Sequence, residues 1–229
     1  NKIISMNVIK EKTDISIKIC GISDIKTIKH CLNIGINWLG FVFFEKSPRH
    51  ISFEKAIKFR KYIVKSNILN NSKVVALSVD ATNSYLDKIN ETLNPDMFQL
   101  HGNETPSRCK FIKERYKKKV MKVIKVNDKN DIILSSKFNN DVDWLLFDSE
   151  EKQSLLPGGN GKVFDWSLFK NCSIKLPWML AGGLTTKNVK TAIQLSGTCC
   201  VDLSSGVEIK RGEKDNYKIT SFLNEIKNY

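Results

Sequence analysis

Ser16-Ile-Lys-Ile-Cys20-Gly21, then a helix-like stretch from Asp24 to about Ile34, then Trp38-Leu-Gly-Phe-Val-Phe-Phe44, is the passage whose reading decides the fold. The first five residues alternate and stop at a glycine, as a strand does, and the middle stretch has helical spacing. Working outward, the same strand-and-helix couplet recurs. Trp38 to Phe44 precedes Phe53 to Ile63, Lys73 to Val79 precedes Asn83 to Leu93, and Met97 to Leu100 precedes Pro106 to Tyr116. Val120 to Ile124 is followed by a weaker helix near Asp128 to Phe138, and Trp144 to Phe147 by a short helix around Trp166. Trp178 to Ala181 leads into Thr186 to Leu195, and Cys200 to Leu203 into a closing helix from Lys214 to Ile226. Strands alternating with helices at this spacing imply a parallel sheet. Eight couplets in 229 residues imply closure into one (β/α)8 TIM barrel, an α/β fold, over an open doubly wound sheet. No Pro/Ser/Gly linker or composition shift divides the chain, so residues 15–229 read as a single domain. Residues 1–14 read as an N-terminal extension, disordered or extraneous to the fold.

Composition narrows the function classes. No apolar run approaches the ~20 residues that span a bilayer, and the first fourteen residues lack the hydrophobic stretch of a secretory signal. A soluble, cytoplasmic protein with no membrane partner is expected. The six cysteines, Cys20, Cys31, Cys109, Cys172, Cys199 and Cys200, contain no CxxC pair, and His30, His50 and His101 lie far apart, so thiols and no metal site are expected. The formal charge of +13 raises the question of a nucleic-acid partner. The lysines are dispersed, however, and only Lys117 to Lys119 form a run, at a helix-to-strand turn. The expectation is a basic surface that helps attract a small anionic metabolite and binds no nucleic acid.

In such barrels the reacting groups sit at the carboxyl ends of strands and in the loops that follow. That rule selects Cys20, Ser47-Pro48-Arg49, Asp80, Gln99 with His101, Asp148, Gly182-Gly183, and Asp202-Leu-Ser204-Ser205-Gly206. The last two stretches, after neighbouring strands, are small and flexible enough for backbone N–H groups to approach a phosphate, and Ser205 to Glu208 can supply the short extra helix many barrels add there. Cys20 at the barrel mouth, with loop backbone and cations to lower its pKa, is a candidate to take a proton from carbon; the alternative is a buried, inert cysteine. Asp148, rising from the apolar Trp144-Leu-Leu-Phe147, is a candidate general acid, with a loop hydrogen-bonder as the alternative. Arg49 offers a planar fork suited to a carboxylate, or is simply a surface arginine. His101 either donates to a substrate or braces the mouth through backbone bonds.

Taken together, several segments resemble phosphoribosylanthranilate isomerase: Lys18-Ile-Cys20-Gly21-Ile, Gly40-Phe-Val-Phe43 with Ser47-Pro48-Arg49, Gln99-Leu-His101-Gly102-Asn-Glu104, Phe147-Asp148-Ser149, Gly158-Gly-Asn-Gly161-Lys-Val-Phe164-Asp165-Trp166, Leu180-Ala-Gly182-Gly183-Leu, and Val201-Asp202-Leu-Ser-Ser205-Gly206-Val-Glu208. They run in the family's order from about residue 16 to 215. The resemblance implies an Amadori rearrangement in tryptophan biosynthesis with no cofactor or metal, by a monomer or homodimer acting on a small phosphorylated substrate. It implies Asp148 as acid, Cys20 as base and Arg49 as clamp on the anthranilate carboxylate. Gly182, Gly183, Ser204, Ser205 and Gly206 become the phosphate cradle, and His101 and Asp202 line the substrate. The sequence departs from the family at Asn160, where Thr is commoner, and at Asp80, where an Asn-like residue is common, which leaves Asp80 without a role. Two rivals remain. Another phosphate-binding barrel of histidine or tryptophan biosynthesis would carry Asp where Cys20 stands, and a catalytically silent or nucleic-acid-binding protein would have no use for Cys20 and Asp148 together.

Overall fold

The computed structural model describes residues 15–66, 72–149 and 164–227. Residues 1–14 and the Gly158-Gly159-Asn160-Gly161 segment lie outside them. Eight parallel strands close into a barrel in chain order: β1 (Ser16–Cys20), β2 (Trp38–Phe43), β3 (Lys73–Ser78), β4 (Met97–Leu100), β5 (Lys119–Val126), β6 (Trp144–Ser149), β7 (Trp178–Leu180) and β8 (Cys200–Leu203), with β8 pairing back onto β1. Helices α1 (Ile25–Asn33), α2 (Phe53–Lys65), α3 (Asn83–Leu93) and α4 (Pro106–Tyr116) follow the first four strands. Asp24, Ser52, Thr82 and Thr105 cap them by accepting a hydrogen bond from the backbone three residues on, and Pro106 opens α4 where its missing N–H costs nothing.

The second half is less regular than the couplets suggest. The expected helix near Asp128 to Phe138 is a six-residue α5 (Lys129–Leu134) running into a 3-10 turn at Ser135–Phe138. Between β6 and β7 the only described helical segment is a 3-10 turn, Trp166–Phe169, whose Phe169 ring stacks on Trp178 at 4.7 Å. α6 (Val189–Ser196) follows β7, and α7 (Asn216–Lys227) closes the ring. α7 starts later than expected because Glu213 and Lys214 are used in a hairpin of β9 (Glu208–Lys210) and β10 (Glu213–Lys214). Gly212 turns that hairpin at φ +88°, pressed so closely on the Pro48 carbonyl that a side chain would not fit.

Strand alternation divides the apolar residues between two cores. Ile17, Ile19, Leu39, Phe41, Val74, Phe98, Leu145, Phe147, Val201 and Leu203 point outward and pack under the helices. Inside the barrel, the amino-terminal half is filled by Val75, Met97, Met121, Val123, Leu146 and Met179. Trp38 and Trp144, edge to face at 5.2 Å, pack against this plug. Among the described residues the barrel is thus filled below, and its carboxyl end is open to chemistry.

Candidate active site

A cavity of about 750 Å³, measured out to the open solvent, occupies the carboxyl end of the strands. Cys20, Arg49, His101, Asp148, Gly182, Gly183, Asp202, Ser204, Ser205 and Gly206 all line it. The structure therefore brings together the ten residues to which strand-end position and the family resemblance together gave roles in substrate binding and catalysis.

Cys20 ends β1 on the inner face, beside Gly40 of β2, its register partner. A Cβ at position 40 would lie 3.1 Å from the sulfur and 3.0 Å from the Cys20 Cα, so any side chain there would press the thiol out of place by a few tenths of an ångström. The expectation that cations would lower this thiol's pKa is corrected by its depth. Burial raises the pKa above the usual cysteine value, and opposing pulls from Lys18 and Lys214 do not offset it. Lys18, two residues back on the same face, is fully buried, and its Nζ meets Asp202 Oδ1 at 2.8 Å. Burial disfavours the Lys18 charge, yet Asp202 and Cys20 together hold its pKa above the ordinary lysine value.

Asp148 is the next-to-last residue of β6, almost wholly buried, with Oδ1 accepting from the Ser149 N–H at 2.9 Å. Gly182 comes so near, at φ +91°, that a Cβ there would stand 3.1 Å from Asp148 Oδ1. His101 Nε2 is 3.6 Å from Asp148 Oδ2, beyond a good hydrogen bond. The His101 backbone N–H donates to Ser78 O at 2.9 Å, so the residue braces the mouth, while its ring faces the cavity. Burial, then Lys122, Lys125 and Lys18, bring its pKa down to about 3, which leaves the imidazole neutral. Among the described residues, His101 Nδ1 and Gln99 Oε1 are buried with no hydrogen-bond partner.

Arg49 is not the exposed arginine that composition alone favours. Its Nε and Nη2 donate to Glu208 Oε1 and Oε2 at 2.7 and 2.8 Å, and both residues are buried. Gly21, at φ +79°, gives the arginine stem its passage. Burial raises the Glu208 carboxyl, but Arg49 and Lys214 more than offset that and hold it below its usual range. Lys214 Nζ bridges Glu208 Oε1 at 2.8 Å and Ser204 O at 3.0 Å, and Ser204 Oγ donates to Cys20 O at 3.1 Å. Gly206 abuts the Leu184 carbonyl, which locks the loops after β7 and β8 together. Where a short helix from Ser205 to Glu208 was expected, there is a 3-10 turn, Ser205–Val207.

Asp80 goes elsewhere. At φ +46° it turns away from the cavity, its N–H donating to Glu104 Oε1 at 3.0 Å and its Oδ1 accepting from Asn103 N at 2.7 Å. Lys122 joins the same knot through Glu104 Oε2 at 3.0 Å, so Asp80 ties the β3 and β4 loops together. Sequence reasoning missed Lys18, Gly40, Glu208 and Lys214. Lys18 carried a signal: in Ser16-Ile-Lys-Ile-Cys20 it shares a face with Cys20 while the isoleucines face the helices.

The sequence profile of the family described as "N-(5'phosphoribosyl)anthranilate (PRA) isomerase" matches residues 17–225. The chain belongs to this family. It is an isomerase, similar to the N-(5'-phosphoribosyl)anthranilate isomerase of Parvibaculum lavamentivorans, 43% identical over 216 residues that make up 93% of this chain and 98% of that one. The enzyme of the same name from Brucella canis is 39% identical over 213 residues, covering 93% and 94% of the two chains. Among solved structures, the phosphoribosyl anthranilate isomerase of Thermotoga maritima superposes with a TM-score of 0.82 at 30% identity, covering 94% of this chain and 100% of that one. A phosphoribosyl anthranilate isomerase in complex with reduced 1-(o-carboxyphenylamino)-1-deoxyribulose 5-phosphate superposes with a TM-score of 0.76 at 27% identity and the same coverage.

Proposed function

We propose that this cavity converts N-(5'-phosphoribosyl)anthranilate to 1-(2-carboxyphenylamino)-1-deoxyribulose 5-phosphate, an Amadori rearrangement of tryptophan biosynthesis, with Asp148 as general acid and Cys20 as general base. Asp148 gives its proton to the ribose ring oxygen, and the ring opens to a Schiff base. The Cys20 thiolate then removes the proton from C2, and the resulting enolamine tautomerises to the ketose. Hydrogen moves between neighbouring carbons with no net oxidation, so an acid and a base suffice. With its pKa brought down to about 3, His101 is too weak a base to take the acid's proton.

The observation that carries this reading is the order of groups around the mouth. From the acid on β6, the ring passes through the loops of β7 and β8 and arrives at the base on β1. Gly182, Gly183, Ser204, Ser205 and Gly206 hold the phosphate on that arc, where backbone N–H groups reach it closely. Arg49, held in its plane by Glu208, takes the anthranilate carboxylate. The enzyme works on this small phosphorylated substrate as a monomer or homodimer.

The test is loss of fluorescence of freshly generated N-(5'-phosphoribosyl)anthranilate, followed with the wild type and with Asp148→Asn. Rapid loss with the wild type and little with the variant is expected. An intact fold without turnover by the wild type overturns the assignment.

A further inference from the structure

The buried charges below the thiol have no part in the steps above, and their placement is specific. β1 and β8 pair with Lys18 opposite Asp202, and Lys18 and Cys20 share the inner face. The Lys18 ammonium binds Asp202 Oδ1 at 2.8 Å, and its charge acts on the Cys20 thiol two residues along the same buried face. A lysine side chain at zero exposure inside a barrel is expensive to keep unless its charge is used. We propose that Lys18 is a positioning residue for the base: its buried ammonium, held by Asp202, stabilises the Cys20 thiolate that takes the C2 proton. This inference rests on the assignment of Cys20 as the base.

The groups that face the sulfur differ in sign and origin. From β1 comes Lys18, from β8 Asp202 and from β10 Lys214. Gly40 of β2 brings no charge, and Lys214 is already joined to Glu208 and, through it, to Arg49. His101 of β4 and Asp148 of β6 face the same cavity, the first neutral. Lys18 favours the thiolate more strongly than Asp202 disfavours it, and Lys214 adds a smaller pull in the same direction as Lys18. Asp202 therefore acts in two ways. It fixes the ammonium in place, and its own charge works against the thiolate.

This arrangement has a signature that a purely structural ion pair lacks, because the two partners move the thiol's titration in opposite directions. The experiment is the pH dependence of Cys20 alkylation by iodoacetamide, with Cys20 followed by peptide mass because Cys199 is exposed. Lys18→Met is expected to move the profile to higher pH and to slow alkylation at about pH 7.5 by about tenfold or more, because a thiol whose pKa rises by about one holds about a tenth of the thiolate at a given pH. Asp202→Asn moves the profile to lower pH. The double variant, which leaves no unpaired buried charge and so stays folded if Lys18→Met does not, still titrates above the wild type. The acid limb of kcat follows the same order. Profiles coincident with the wild type in the double variant, or displacements of the same sign in the double variant and Asp202→Asn, overturn the proposal. Alkylation is read without turnover, so displaced profiles in a protein that does not consume the substrate sink the assigned reaction and leave the thiol's partner standing.

Discussion

The lower half of the barrel interior, lined by Met97, Met121, Leu146 and Met179, is closed and apolar, whereas the upper half of the same strands presents Lys18, Cys20, Gln99, His101, Asp148 and Asp202. Two residues along a strand separate Leu146 from Asp148, Met97 from Gln99 and Cys200 from Asp202. The same inner face thus changes from plug to site within a single strand step. In the plug, methionine fills volume without needing partners. At the mouth, Gln99 Oε1 and His101 Nδ1 are buried without a partner among the described residues, a deficit of about 1–3 kcal/mol each that a polar ligand can relieve. Stability is placed below and chemistry above, and each half can be damaged separately.

The sharpest break comes from the proposed acid and base. Cys20→Ser and Asp148→Asn are each expected to lower kcat by about 10²–10⁴-fold while moving the urea midpoint little. Met179→Ala or Leu146→Ala should do the reverse, costing about 2–5 kcal/mol of unfolding free energy with turnover per folded molecule nearly unchanged. A floor variant that is stable but slow would dissolve the division. Arg49→Ala should raise KM by about tenfold or more with a smaller effect on kcat, because the carboxylate loses a bidentate partner. An unchanged KM removes Arg49 from substrate capture.

The last break is read from pH, as a slope. His101 has a folded pKa of about 3, below the unfolded value of about 6.5, so only the unfolded chain takes up this proton in between. Its contribution is complete above about pH 6.5 and is lost as pH falls toward 3, at up to about 1.4 kcal/mol per pH unit. Urea unfolding between neutral and acid pH should show that slope in the wild type and a shallower one in His101→Gln. Equal slopes would mean that His101 is not held neutral.

The eight strands were legible because each carries its own alternation or apolar run, and a barrel needs only their count and spacing. The candidate site was legible because barrel chemistry gathers at strand ends, a rule that needs no side-chain detail. The same rule also selected Asp80, and nothing local announces that a left-handed backbone at φ +46° turns it toward Asn103. The Cys20 thiol was read in the wrong direction because depth is a property of the closed barrel, not of the strand. Lys18 and Glu208 were quoted in motifs yet given no role, since their partners Asp202 and Arg49 lie 184 and 159 residues away. The hairpin of β9 and β10 escaped notice because strands of three and two residues carry no period.

The most direct test pairs binding with turnover in the Cys20→Ser and Asp148→Asn enzymes. Both should bind reduced 1-(o-carboxyphenylamino)-1-deoxyribulose 5-phosphate about as tightly as the wild type while failing to consume N-(5'-phosphoribosyl)anthranilate. Near-normal turnover by either variant would contradict the account and send the search for acid and base elsewhere in the mouth.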